Sequence, residues 1–224
     1  MTSQRVRTAG KFAAASAGVA ALAMTAAGCD AAGSGIDGGS TLTSSQSYSV
    51  SQHLSSVRIN DSGGNISVVA GSGPGVVVTE QYEYSDGRPV TAHSVSGSTL
   101  TLDSSGCNDS SGKCEVDYSV QVPAGVDVDA GTSGGDITGS GLAAGTLDAS
   151  TSGGNVNLAF AAVPDNVDAS TTGGDVTITV PQGSYAVQAG TDGGQNDVAV
   201  PIDNASAHRI KAHSDGGDVT VKTA

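Results

Sequence analysis

The sequence predicts an all-β protein. Its main body reads as a parallel β-solenoid of about 20-residue two-strand coils, and a less regular N-terminal β portion containing hairpins precedes it. Three observations carry this expectation. Gly-Gly pairs stand at Gly63-Gly64, Gly134-Gly135, Gly153-Gly154, Gly173-Gly174, Gly193-Gly194 and Gly216-Gly217, and the last five recur at intervals of 19, 20, 20 and 23 residues. The segments on either side of each pair alternate apolar and polar residues with the period of a half-buried strand. Val-Pro steps at Val122, Val163, Val180 and Val200 end several of these segments, because proline lacks the N–H that would continue a ladder.

Each coil is therefore strand, Gly-Gly corner, strand, Pro corner. Before the glycines, Val128, Leu147, Val167, Val187 and Ile210 form one inward column and Ala130, Ala149, Ala169, Ala189 and Ala212 another. After them, Ile137, Val156, Val176 and Val219 form a third, which Asn196 interrupts. A buried amide would need hydrogen-bond partners, so a local distortion is expected there. The glycines are expected to supply positive φ for a tight reversal. Coils stacked in chain order would leave residues 209–223 as the open end of the sheet. Lys211 and Lys222 would then guard that edge against further strand addition.

The N-terminal half matches the repeat once, at Val57 to Val68, and then runs into longer alternating segments. Asp86-Gly87 and the Cys107–Cys114 segment read as hairpin reversals. Cys107 and Cys114 enclose six polar residues. A disulfide across that gap is favoured over metal binding by two thiols, which would need further ligands, and closing so small a loop contributes roughly 2.5 kcal/mol.

The first residues read as an export signal. Arg5, Arg7 and Lys11 precede 16 uncharged residues, Phe12 to Ala27, too few for the ~20 of a membrane span. Thr25-Ala26-Ala27-Gly28-Cys29 then resembles the lipobox of bacterial lipoproteins, with Ala26 where that pattern usually has Leu. The resemblance implies cleavage before Cys29 and its lipidation; a plain secretory signal is the alternative. The expected organisation is a signal peptide over 1–28, a lipidated cysteine and Gly/Ser/Thr-rich tether over 29–47, and the solenoid over 48–224.

Without the signal, six basic residues face 22 acidic ones, a net charge of −16. This excludes nucleic acid or anionic lipid as a broad electrostatic partner and favours a soluble monomer that attracts cations. Asp129, Asp148 and Asp168 share one outward column and are candidate Ca²⁺ ligands, although solubility with corner hydrogen bonding is the favoured reading. Asp136, Asn155, Asp175, Gln195 and Asp218 form a second polar column of alternating acid and amide. No other cofactor is implied.

Catalytic patterns are weak. Ser133 sits in a G-x-S-x-G match, but Ser152, Thr172, Asp192 and Asp215 occupy the same corner position elsewhere, and no helix follows as a nucleophile elbow requires. The match at Gly139 to Ala144 to a dinucleotide fingerprint also lacks its helix. His53, His93, His208 and His213 show no ligand spacing, and Tyr82 and Tyr84 form only a small candidate sugar platform. No catalytic residue is named.

Val57-Arg-Ile-Asn-Asp-Ser-Gly-Gly-Asn-Ile66, Val120-Gln-Val-Pro-Ala-Gly125 and the later Ser/Thr-Gly-Gly-Asp/Asn-Val units resemble a family of bacterial β-strand-repeat proteins grouped, by inference, as adhesins. The resemblance spans residues 50–224. It implies a surface-exposed solenoid with an adhesive role; together with the lipobox at Cys29 the expectation is a non-enzymatic, membrane-anchored protein that is adhesive or organises the envelope, with a ligand on the envelope or a neighbouring surface. Two other classes stay open. A polysaccharide-active solenoid enzyme would call for clustered basic and aromatic residues, yet residues 115–205 contain no Lys or Arg. An extracytoplasmic sensor of a cation or envelope component would need a partner to transmit its signal.

Overall fold

The computed structural model describes residues 41–107 and 112–224, so the leader, Cys29 and most of the predicted tether lie outside the described residues. The N-terminal strands are β1 (Leu42–Val50), β2 (Ser56–Asp61), β3 (Ile66–Ala70), β4 (Val76–Tyr84), β5 (Val90–Ser96), β6 (Thr99–Ser105) and β7 (Cys114–Val122). Five coils follow: β8 (Asp127–Thr132) with β9 (Ile137–Leu142), β10 (Thr146–Thr151) with β11 (Val156–Phe160), β12 (Asn166–Thr171) with β13 (Val176–Val180), β14 (Ala186–Thr191) with β15 (Asn196–Ala199), and β16 (Arg209–Ser214) with β17 (Val219–Thr223). They build a nine-stranded and an eight-stranded sheet, and the core lies between them. The all-β, largely parallel solenoid is as the repeat predicts.

The coils are not stacked in chain order. The nine-stranded sheet runs β1-β4-β7-β3-β9-β11-β13-β17-β15, and the eight-stranded sheet runs β14-β16-β12-β10-β8-β2-β6-β5. The last coil in sequence, β16/β17, is thus inserted between β12/β13 and β14/β15. The chain leaves a gap about two strand spacings wide, ~9.6 Å, and then returns to fill it. Burial explains the order. Ile210, Ala212, Val219 and Val221 are fully buried, whereas Val187, Ala189 and Val198 of the β14/β15 coil are only partly covered. The more apolar coil is stabilised by neighbours on both sides, and the more polar one terminates the stack.

Two expectations are thereby corrected. Lys211 and Lys222 do not guard the end, since β14 and β15, without Lys or Arg, form it. A short bridge between Tyr185 and Ile202, on the loop that carries Pro201, covers the start of the β14 edge instead. Asn196 causes no distortion: β15 pairs with β17 in unbroken register, and Asn196 is exposed on the outermost coil. Its Nδ2 donates to the Ala189 carbonyl, 2.9 Å away on the facing sheet.

Gly-Gly corners serve a steric purpose rather than a conformational one. Among the described residues, glycines with positive φ are Gly97, Gly125 and Gly141, none of them at a Gly-Gly corner. A Cβ on Gly154 would stand 2.0 Å from the carbonyl oxygen of Gly135 in the next coil, and the same contact would be 2.1 Å at Gly135 and 2.2 Å at Gly174. The second glycines therefore form a column in which each backbone sits directly over its neighbour. Inward hydroxyls lock it. Thr151 Oγ1 donates to Gly135 O (2.8 Å) and accepts from Gly154 N (3.2 Å); Thr171 and Ser214 repeat the pattern with Gly154 O and Gly174 O, each at 2.7 Å.

The N-terminal region contains antiparallel pairing, although the reversals fall elsewhere than expected. β5 and β6 form the hairpin, turning at Gly97 with φ 61°. Asp86-Gly87 and the Cys107–Cys114 segment instead carry the chain from one sheet to the other. Residues 42–47, assigned above to the tether, belong to β1, which pairs antiparallel with β4 from Leu42 to Val50. The strand is mostly exposed, so alternation of hydrophobic residues is absent and its backbone ladder with β4 holds it. In β9 the column position of Leu158 is taken by Gly139, and a register shift turns Leu142 into that space.

The glycine column yields a paired prediction. Gly154→Ala should lower unfolding free energy by about 3 kcal/mol through overpacking against backbone. Gly153→Ala, whose Cβ would meet nothing closer than 3.5 Å, should change it by less than about 0.5 kcal/mol. Urea unfolding of both variants measures the difference; equal losses would remove the steric account.

Candidate functional site

The outer face of the eight-stranded sheet carries the most organised charge. Strand register sets Arg58, Asp129, Asp148, Asp168, Lys211 and Gln188 in one row across β2, β8, β10, β12, β16 and β14. Arg58 Nε lies 2.8 Å from Asp129 Oδ2, and Lys211 Nζ lies 2.9 Å from Asp168 Oδ2. The middle acid, Asp148, has its pKa pushed up by burial first and then by the Asp168 and Asp129 carboxylates. The three Ca²⁺ candidates thus form a straight row whose outer members are each held by a cation.

A depression of about 510 Å³ opens beside this row, lined by Asn166, Asp168, Gln188, Asn204, Arg209 and Lys211. In the adjacent register row, Asn166, Arg209 and Ala186 lie side by side on β12, β16 and β14. The small Ala186 leaves space beside the Arg209 side chain. Among the described residues Arg209 makes no ion pair, while Lys211 engages Asp168 alone. Inserting β16 between β12 and β14 is what assembles this wall of amides and cations.

The second polar column proves to be a backbone ladder. Asp117, Asn65, Asp136, Asn155, Asp175 and Asp218 each accept on a side-chain oxygen the backbone N–H of the next coil, at 2.7–2.9 Å, ending at Gln195. Because the coils exchange places, Asp175 and Asp218 become neighbours and the predicted alternation of acid and amide fails there.

At the opposite end the two sheets enclose a buried carboxylate, Glu80 on β4. Tyr48 donates to it at 2.8 Å, Gln46 at 3.0 Å and Thr91 at 2.9 Å, and Tyr82 makes a further hydrogen bond. Arg88 stacks on the Tyr82 ring at 3.8 Å, and His93 stacks on Tyr48 at 4.5 Å. Tyr82 is buried in this network and Tyr84 half-buried, so the pair is a structural element and not a sugar platform. Burial pushes the hydroxyl pKa up at Tyr48, Tyr82, Tyr118 and Tyr185, and Glu80 reinforces the effect at the first three.

Cys107 and Cys114 are joined by a disulfide, with Cα atoms 6.0 Å apart, closing the crossing from β6 to β7. Cys29 lies outside the described residues. Ser133 is exposed on its corner like the equivalent residues of other coils. His208 Nδ1 lies 2.9 Å from the Pro164 carbonyl oxygen. His213, which shows no ligand spacing in the sequence, is brought beside Asp215 and Asp192. A single residue separates it from Asp215, but Asp192 comes from the adjacent coil, so only the repeat alignment of Asp192 with Asp215 signals the contact.

The fold and its corner ladders define a β-solenoid class, and comparison with known proteins assigns the chain to a family within it. Residues 41–222 match the Toastrack DUF4097 model, and the chain belongs to that family. A crystal structure of an inferred cell adhesion protein from Clostridium sporogenes superposes with a TM-score of 0.61 at 10% identity, covering 81% of this chain and all of that one. An inferred adhesin from Bacteroides fragilis is 16% identical over 83% of this chain and 99% of its own, with a TM-score of 0.37. The first likeness establishes a shared fold. No curated protein matches the chain.

The tyrosine network has a pH signature. A hydroxyl whose folded pKa lies above its unfolded value contributes stability that is complete below about pH 10 and is lost as pH rises through the folded value. Melting temperature should therefore fall steeply above pH 10. Phenolate absorbance should rise together with unfolding rather than before it. Ionisation of all five tyrosines near pH 10 in still-folded protein would contradict the buried network.

Proposed function

We propose that this chain is a non-enzymatic, monomeric surface protein of adhesin type, lipid-anchored through Cys29 to the outer face of the cell membrane. Its solenoid contacts an acidic glycan or phosphate-bearing polymer of an envelope. The observation that carries this reading is the depression beside β14, where Arg209, without an ion pair among the described residues, and Lys211, paired with Asp168, lie among Asn166, Gln188 and Asn204. Guanidinium forks suit carboxylate and phosphate oxygens, and amides suit sugar hydroxyls. A net charge of −16 repels a polyanion elsewhere on the molecule, so contact would concentrate at this one end. The fold shared with an inferred cell adhesion protein supports the same class.

An array of neutral and acidic envelope polysaccharides and teichoic-type polymers, probed with the full chain in detergent, tests the ligand. Binding should select the anionic members, and the Arg209→Gln/Lys211→Gln double variant, which adds no carboxylate to the Asp129–Asp148–Asp168 row, should lose at least about tenfold, equal to ~1.4 kcal/mol, while remaining folded. Binding confined to neutral glycans, or unaffected by the double variant, would reject the groove.

Anchoring is tested separately. Two acyl chains hold a protein stably where one binds marginally, so Cys29→Ser should move the protein from the membrane fraction to the medium. Retention in the membrane would contradict lipidation.

A further inference from the structure

We propose that Asp192, His213 and Asp215 form a binding site for a divalent transition ion, best matched by Zn²⁺, that fastens the outermost coil to the stack. The three residues each offer one ligand atom, and these atoms lie within 4.8 Å of one another. His213 Nε2 lies 3.0 Å from Asp215 Oδ1. An imidazole nitrogen with two carboxylate oxygens is a donor set for zinc or a similar borderline ion, whereas calcium takes six to eight oxygens. Three protein ligands leave the fourth tetrahedral position open to water or an external group.

Position in the fold gives the site its purpose. Elsewhere in the corner column the residue before the glycines is a hydroxyl: Ser62, Ser133, Ser152 and Thr172. Only the last two coils carry carboxylates there, Asp192 and Asp215, and their coils are neighbours. Like charges in adjacent coils repel, and a cation between them turns that repulsion into attraction. The residue facing His213 across the β16–β14 ladder is Gly190. A Cβ built there would stand 3.9 Å from Nδ1, so no side chain crowds the ring from that side.

The ligands come from two coils. His213 and Asp215 belong to the β16/β17 coil, which is buried on both flanks. Asp192 belongs to the β14/β15 coil, whose apolar residues are half-covered and whose outer edge is open along most of β14. An ion held by all three is therefore a staple across the junction where, among the five C-terminal coils, burial is shallowest. It lies two residues along β16 from Lys211, at the same end as the proposed ligand groove, but the inference does not depend on that groove.

The test uses the full chain in detergent, stripped with chelator. Calorimetric titration with ZnCl₂ should show one site that His213→Ala and Asp192→Asn each weaken by at least about tenfold. All three side chains are outside the core, so both variants should keep the wild-type melting temperature in chelator. Hydrogen exchange gives the decisive readout. At zinc 100 times above its Kd, the amides of β14 and β15 should exchange about 100-fold more slowly, since opening of that coil breaks the site. CaCl₂ at the same concentration should leave them unchanged. Zinc affinity unaltered in both variants, zinc binding without slowed exchange in β14 and β15, or equal protection by calcium would each overturn the staple.

Discussion

The backbone contact at the second glycine of each corner is the constraint on which the rest of the stack depends. A carbonyl oxygen of one coil occupies the place where a Cβ of the next would be, about 2 Å from it, so no other residue allows the coils to meet at the spacing of paired strands. The buried Thr and Ser hydroxyls then satisfy the glycine carbonyl and N–H that such close approach would leave unpaired. With the corner fixed, the strands on both sides enter the ladder in register, and inward Val, Leu, Ile and Ala fall into columns without further instruction.

Uniform corners also make the coils nearly interchangeable, and this freedom shapes both ends. At the C-terminal end the more apolar coil moves inside and the polar one outside. At the N-terminal end β6/β7 lies outside β2/β3, with β4 and β1 continuing the nine-stranded sheet beyond it. The two ends are closed by different means. One uses exposed polar residues and an amide reaching across to the facing sheet. The other uses a buried carboxylate saturated with hydroxyl and amide donors, an arrangement that tolerates burial because each oxygen is bonded.

Function follows from the exchanged order. A stack in chain order would set Lys211 beside Gln188 at an open edge, far from Asp168. The observed order brings Lys211 against Asp168, leaves Arg209 between Asn166 and Ala186, and sets His213 between Ser170 and Gly190. The amide-lined depression is a product of β16 lying between β12 and β14, whereas the Asp192–His213–Asp215 cluster needs only that β14 and β16 be neighbours. Three of the six basic residues that follow the signal, Arg209, Lys211 and Lys222, lie together at the end opposite the N-terminal strands.

Much of the architecture was legible because it is local. Period-two alternation names the strands, Val-Pro and Gly-Gly name the corners, and the columns Val128 to Ile210 and Ala130 to Ala212 follow from alignment alone. The two columns of outward polar residues were legible as columns, but not as a backbone ladder or a paired charge row. β1 escaped because an edge strand held by its ladder needs no apolar alternation. The Leu142 bulge escaped because Gly139 resembles a weak column position rather than a space. The sequence by itself therefore determined the coil, its two corners and its inward faces, since each depends on residues a few positions apart. Only the tertiary structure decided which coil lies beside which. Backbone ladders do not distinguish one coil from another, and the choice rests on how much apolar surface each coil buries with neighbours on one side or on both. The 23-residue spacing before Gly216, which gives residues 200–208 the length to turn back, was its single trace in the chain.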